Sequence, residues 1–145
     1  MSYVPPPAVG IFTDVPPGSF AADWIEQLYR EGITAGCGGG TTCTAGSYCP
    51  NNLITRDQMA VFLLKIEHGS GYVPPPAQGN VFTDVPATAF AAAFIEQLSR
   101  EGGVAIGSCP GAGTNSGNYC PLDPTTRGQA AEFLTKTFHL KLYGP

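Results

Sequence analysis

The chain has 145 residues, a formal net charge of −4, and charged side chains at only 12% of its positions. Such a chain lacks the basic surface that displaces counterions from a phosphate backbone, so nucleic acid is not expected as a partner. No apolar stretch reaches the about 18 residues that a membrane-spanning helix needs, so membrane insertion is not expected either. The 19 glycines and 14 prolines indicate long, turn-rich loops, while 43% hydrophobic residues suffice for a folded core.

An internal repeat is the strongest feature of the sequence. Three motifs occur twice, 70 or 71 residues apart: FTDVP at 12–16 and 82–86, IEQL at 25–28 and 95–98, and TRxQ at 55–58 and 126–129. The change from 70 to 71 places a one-residue insertion near Gly103. We therefore predict two tandem repeats, 1–70 and 71–145.

Each predicted repeat opens with a proline-rich linker. Residues 4–7 and 73–76 both read VPPP, which favours extended polyproline II because proline fixes φ and donates no hydrogen bond. The FTDVP motif that follows is predicted to be a turn. In it, Asp14 or Asp84 would accept hydrogen bonds from backbone amides two residues further on.

An amphipathic helix is predicted after this turn. Large apolar side chains recur at i, i+4, i+5 and i+8, the spacing of one helix face. They are Phe20, Trp24, Ile25 and Leu28 in the first repeat, and Phe90, Phe94, Ile95 and Leu98 in the second. Gly32 and Gly102 then stand where a helix is expected to end.

A long loop comes next, and cysteines bracket it in both repeats. Cys37 and Cys49 have 11 residues between them, and Cys109 and Cys120 have 10. A disulfide across each loop would stabilise it by about 3 kcal/mol in the chain-entropy model, and the cysteine content indicates an oxidising, extracellular location. Zinc is the alternative, but the spacing is not that of zinc knuckles, so neither metal nor cofactor is expected. Cys43 is left over, as a free thiol, an alternative partner for Cys49, or a link to another chain.

The second helix of each repeat begins with a capping box. Thr55 with Gln58, and Thr126 with Gln129, have the spacing at which hydroxyl and amide satisfy each other's backbone N–H groups. The predicted inner face consists of Met59, Phe62, Leu63 and Ile66, and of Ala130, Phe133, Leu134 and Phe138. The predicted fold class is thus mainly α, with two helix-loop-helix repeats, long disulfide-bounded loops and proline-rich linkers.

The order of these motifs resembles the S-layer homology domain, in which F-x-D-V-P, an aromatic with Ala, I-E-x-L, a Gly-rich loop and T-R-x-Q follow one another. The resemblance covers nearly the whole chain, twice. It implies helix-loop-helix units, usually three, that hold extracellular proteins on the bacterial envelope by binding cell-wall polysaccharide. The family's arginine, which helps to form the groove for an acidic glycan, falls on Arg56 and Arg127. The family's usual tryptophan falls on Phe20 and Phe90.

Two structural alternatives stand beside this glycan hypothesis. Arg56 and Arg127 lie near helix N-termini, where an anion can bind, but each can instead pair with a glutamate such as Glu26 or Glu96. The aromatic side chains that could stack on sugar rings can equally belong to the core: Trp24, Tyr48 and Tyr119.

Catalysis is not expected. His68 and His139 recur near helix ends, where an imidazolium stabilises the negative end of the dipole, and no nucleophile recurs beside them. The leading prediction is therefore a non-catalytic bacterial cell-surface module that binds cell-wall polysaccharide. The alternative is a self-assembling subunit of a surface layer or extracellular filament, whose partners are copies of itself.

Overall fold

The computed structural model describes residues 3–36, 44–104 and 117–140, and four α-helices lie in these ranges. They are α1 at Ala22–Arg30, α2 at Arg56–His68, α3 at Ala92–Arg100 and α4 at Arg127–Thr137. The same ranges contain no strand, and their only β-type pairing is an antiparallel bridge between Thr55 and Pro124. The predicted mainly α class is confirmed. Residues 4–7 and 73–76 form neither helix nor strand, and their polyproline II conformation stays a prediction.

The chain divides into two compact units, Met1–Asn52 and Leu53–Pro145, which we call unit 1 and unit 2. Unit 1 contains α1, and unit 2 contains the other three helices. These boundaries differ from those of the sequence repeats 1–70 and 71–145, because α2 belongs to unit 2 by its contacts. The repeat boundaries stay a prediction about the sequence.

Both predicted capping motifs start a helix. At α4, Gln129 Oε1 accepts the Thr126 N–H at 3.0 Å and Thr126 Oγ1 accepts the Gln129 N–H at 3.2 Å, which completes a capping box. At α2, Gln58 Oε1 accepts the Thr55 N–H at 3.1 Å. The predicted capping box is present here too. In addition, the Thr55 hydroxyl donates to Asp57, and Asp57 accepts the Gln58 N–H at 2.7 Å.

Glycines end α1 and α3 as predicted. Gly32 and Gly102 follow the cap residues with φ of 71° and 81°, a left-handed conformation that costs a glycine little. The Gly32 N–H donates to the Tyr29 carbonyl at 2.9 Å, and the Gly102 N–H donates to the Ser99 carbonyl at 3.1 Å.

The predicted inner face of the first helix is partly wrong. Ala21 and Ala91, with φ of 60° and 57°, turn the chain just before α1 and α3, so Phe20 and Phe90 precede the helices. These two rings are 97% and 68% exposed. The predicted helix face therefore includes two rings that lie before the observed helix starts at Ala22 and Ala92. Trp24 is 54% exposed as well, since the buried residues of α1 are Ala22, Ile25 and Glu26.

Each unit has its own core. Unit 1 buries Ala8, Phe12, Val15, Ala22 and Ile25. Unit 2 buries a larger set, which includes Ala60, Leu63, Leu64, Phe82, Val85, Ile95, Leu98, Val104, Tyr119 and Phe133. Ile66 and Leu134, predicted to face inward, are 46% and 39% exposed. The buried residues are instead Ala60 and Leu64 beside Leu63 on α2, and Phe133 and Thr137 on α4.

Candidate functional site

A buried carboxylate in unit 1 holds the segment that follows the first proline-rich stretch. The Glu26 carboxylate accepts N–H groups from Val9 at 2.9 Å, Gly10 at 2.6 Å and Ile11 at 2.9 Å. Arg30 Nη2 donates to the same group at 2.9 Å. Burial alone would raise the pKa of Glu26, but these backbone bonds and the Arg30 charge lower it below its usual value.

Unit 2 repeats this arrangement at the second IEQL motif. The Glu96 carboxylate accepts the Gln78 N–H at 3.0 Å and the Gly79 N–H at 2.7 Å, and Arg100 Nη2 donates to it at 2.9 Å. Both glutamates are fully buried. Each glutamate thus pairs with an arginine one turn further along its own helix.

The FTDVP aspartates also reach further along the chain than predicted. The turn itself exists, since the Val15 N–H donates to the Phe12 carbonyl at 3.2 Å. The Asp14 carboxylate, however, accepts the Tyr48 N–H at 2.8 Å and the Cys49 N–H at 2.7 Å. Burial would raise the pKa of Asp14, but these bonds lower it.

Asp84 accepts the corresponding N–H groups of Tyr119 and Cys120, at 2.8 Å and 2.7 Å. The prediction of bonding two residues on is therefore corrected in both units. Asp14 therefore holds the end of the long loop that follows α1, and Asp84 holds the end of the long loop that follows α3.

Arg56 and Tyr119 form hydrogen bonds with each other in the core of unit 2. Arg56 Nε donates to the Tyr119 carbonyl at 2.7 Å, and the Tyr119 hydroxyl donates to the Arg56 carbonyl at 2.8 Å. The guanidinium carbon lies 4.8 Å from the centroid of the Tyr119 ring and 5.1 Å from that of Phe133. Burial lowers the pKa of Arg56, partly offset by nearby negative charges, and burial raises the pKa of Tyr119.

This geometry corrects two of the predicted glycan contacts. Arg56 and Tyr119 are both 0% exposed, so neither the guanidinium nor the ring faces a polymer outside the protein. Their contacts are those of a structural pair. The sequence pattern gives no sign of this difference from Arg127, which occupies the same motif position and is exposed at the start of α4. No ion pair joins Arg127 to another residue of the described ranges.

Three aromatic side chains of unit 1 are exposed around the start of α1. Tyr3 is 58%, Phe20 97% and Trp24 54% exposed, and we call them the aromatic surface. The Tyr3 and Trp24 ring centroids lie 6.0 Å apart in an edge-to-face arrangement. The sequence does not indicate that Tyr3 is part of this surface, because a tyrosine beside a proline-rich segment has no helical periodicity to mark it.

Tyr48, a further predicted contact, is only partly accessible. Its ring packs 5.4 Å from that of Phe12, and burial raises the pKa of its hydroxyl. Tyr48 therefore contributes to the core of unit 1 as well as to its surface.

Two of the five cysteines lie in the described residues. Cys49 and Cys120 are each disulfide-bonded. Cys37, Cys43 and Cys109 lie outside the described residues. The pairings Cys37 with Cys49 and Cys109 with Cys120, and the state of Cys43, stay predictions.

The two histidines differ in their surroundings. His68 ends α2, but its Nε2 lies 3.1 Å from both carboxylate oxygens of Glu101, the C-cap of α3, and its ring stacks on Tyr72 at 4.3 Å. Within the described residues, the His68 imidazole therefore contacts a carboxylate rather than the last carbonyl groups of α2. His139 follows α4 with φ of 47° and is exposed.

The described geometry is that of a small helical module in which buried acids and a buried arginine hold loops, while aromatic rings remain accessible. None of the helices in the described ranges has the length and apolar character to cross a membrane.

Residues 11–60 match the family model of the S-layer homology domain, so this segment is similar to that family. S-layer homology domains are non-catalytic binding modules of the bacterial cell surface, associated with cell-wall polymers. The match covers α1 and the first residues of α2, and the second predicted repeat stays a prediction. Neither the curated proteins nor the solved structures contain a match to this chain.

Proposed function

We propose that this chain attaches the protein that carries it to the bacterial cell envelope by binding a cell-wall polysaccharide through the aromatic surface of unit 1. The observation that carries the proposal is the exposure of Phe20 and Trp24 within the segment that matches the family model of the S-layer homology domain. Tyr3 extends the same surface through its edge-to-face contact with Trp24.

The chemistry of exposed rings supports a sugar as ligand. Burying apolar surface gains roughly 25 cal/mol per Å², so clustered rings that remain in water offer binding energy to a partner. The apolar C–H face of a pyranose fits an aromatic ring, and the indole N–H of Trp24 can donate to a sugar hydroxyl. A polymer could engage several rings at once and bind through many weak contacts.

Arg127 supports a separate polar contact in unit 2. Its guanidinium is exposed beside the N-terminus of α4, where backbone N–H groups and the helix dipole favour negative charge. A carboxylate on an acidic glycan would suit the bidentate geometry of an arginine. We therefore propose that Trp24 and Arg127 make the main contacts with the glycan and that the partly accessible Tyr48 makes a minor contact.

A sedimentation assay with purified bacterial cell walls tests this proposal. The double variant Tyr3→Ala with Trp24→Ala should lose about tenfold or more in affinity, as expected when clustered aromatic anchors are removed. Phe90→Ala is the matched control, because it removes an exposed ring from unit 2. Unchanged binding by the double variant, with melting as in the wild type, would contradict the proposal.

A second candidate function is self-assembly, and exposed aliphatic side chains of unit 2 favour it. Leu53, Val73 and Leu122 are 74%, 83% and 78% exposed, and a second copy of the chain could cover them. Light scattering of the non-reduced chain over a wide concentration range separates the two functions. Growth in mass with concentration supports assembly, whereas a monomer that sediments with cell walls supports attachment.

A further inference from the structure

We propose that Glu67, His68 and Glu101 of unit 2 form a binding site for a zinc-class divalent cation, independent of glycan attachment. The three side chains each offer one ligand atom, and these atoms lie within 4.8 Å of one another. Imidazole nitrogen with carboxylate oxygens is a donor set that Zn²⁺ and Co²⁺ accept in proteins.

The distances suit such an ion. His68 Nε2 lies 3.1 Å from each oxygen of Glu101 and 3.9 Å from an oxygen of Glu67. Ligands at 2.0–2.2 Å from a tetrahedral zinc lie about 3.3–3.6 Å apart, so small rotations of exposed side chains would place all three around one ion. A fourth position would remain for water.

The surrounding electrostatics favour a cation. α2 ends at His68 and α3 ends just before Glu101, so the negative ends of two helix dipoles meet at this cluster.

Neighbouring side chains orient two of the proposed ligands. Gln97 Nε2 donates to Glu101 Oε1 at 2.6 Å, and Tyr72 stacks on the His68 ring at 4.3 Å. Such contacts fix ligand orientation in metal sites. Imidazole also sets the ion class, because Ca²⁺ and Mg²⁺ prefer sites made of oxygen ligands alone.

Cobalt titration of the non-reduced, iodoacetamide-treated chain tests the proposal, because Co²⁺ bound by nitrogen and oxygen absorbs visible light and alkylation removes free thiols as ligands. We expect one Co²⁺ per chain, displaced by Zn²⁺ and not by Ca²⁺. His68→Gln and Glu101→Gln should each weaken binding at least about tenfold.

His139→Gln is the matched control, because His139 is the other histidine of the chain and lies outside the cluster. It should bind Co²⁺ as the wild type does. Absence of a bound-cobalt spectrum at millimolar metal would overturn the proposal, and so would a His68→Gln variant that binds like the wild type. Because neither variant touches the aromatic surface, loss of metal binding leaves the cell-wall assay unchanged.

Discussion

Arg56 and Tyr119, which stand 63 residues apart in the chain, exchange two hydrogen bonds: each side chain donates to the backbone carbonyl of the other residue. The pair joins the first turn of α2 to the end of the second long loop within unit 2. From the family resemblance we would expect this arginine to contact the ligand, whereas its observed contacts stabilise the fold.

Replacing Arg56 by alanine is therefore expected to destabilise unit 2. The change removes a buried guanidinium from between two aromatic rings and leaves the Tyr119 carbonyl without its Nε donor, so we expect a loss of about 3–5 kcal/mol. Urea denaturation followed by far-UV circular dichroism measures it. Arg127→Ala, at the equivalent exposed position, should change stability by no more than about 0.5 kcal/mol. Equal effects of the two variants would show that Arg56 is not a core residue.

The hydroxyl half of the same pair can be tested by Tyr119→Phe. This variant keeps the ring but leaves the buried Arg56 carbonyl without its donor at 2.8 Å, which should lower the free energy of unfolding by about 1–2 kcal/mol. Tyr29→Phe serves as the control, because Tyr29 is 42% exposed. A Tyr119→Phe protein as stable as the control would mean that the hydroxyl bond contributes nothing to the fold.

The features that could be predicted from the sequence are local. Thr126 with Gln129 marks the start of α4, and Gly32 marks the end of α1, because caps depend on residues within one helical turn. The predicted helix faces were wrong where the set of inward-facing residues depended on the residue at which the helix begins. A left-handed alanine is not visible in a periodicity, so the apolar spacing places Phe20 on the helix although the helical backbone begins only after Ala21.

The hydrogen-bond partners of the loop-holding carboxylates could not be predicted, because they come from distant parts of the chain. Asp14 bonds the backbone 34 and 35 residues later, and Glu26 bonds it 15 to 17 residues earlier. Composition and spacing show that such acids exist, but only the fold shows which N–H groups they satisfy. The same holds for Arg56 and Arg127, two copies of one motif whose burial differs.

The buried Glu26 predicts how unit 1 responds to acid. Its pKa in the folded state lies below the unfolded value of about 4.3, so the unfolded chain binds more protons in acid. The contribution to stability is fully present above about pH 5.5, and it is lost as the pH falls through the folded-state pKa. Asp14 acts in the same direction.

Urea denaturation at several pH values, followed by the fluorescence of Trp24, reports on unit 1, because this is the single tryptophan of the chain. Glu26→Gln should be less stable at pH 7 and should lose less stability than the wild type between pH 6 and pH 3. Glu31→Gln removes the same charge at an exposed position and should keep the wild-type slope. A Glu26→Gln protein with the full wild-type slope would exclude Glu26 as a source of the acid response.

The packing around Gly103 gives the last prediction. A Cβ at this buried position would lie 2.4 Å from Leu98 Cδ1 and 2.9 Å from Thr137 Oγ1, so Gly103→Ala requires two core side chains to move. We expect a loss of about 1–3 kcal/mol in urea denaturation followed by circular dichroism. Gly128→Ala, in the first turn of α4, meets no atom nearer than 4.0 Å and should instead stabilise by about 0.5–1 kcal/mol. The two variants add the same methyl group to unit 2, so changes of opposite sign in the free energy of unfolding isolate the effect of packing. A Gly103→Ala protein as stable as the wild type would mean that Leu98 can move without destabilising the core.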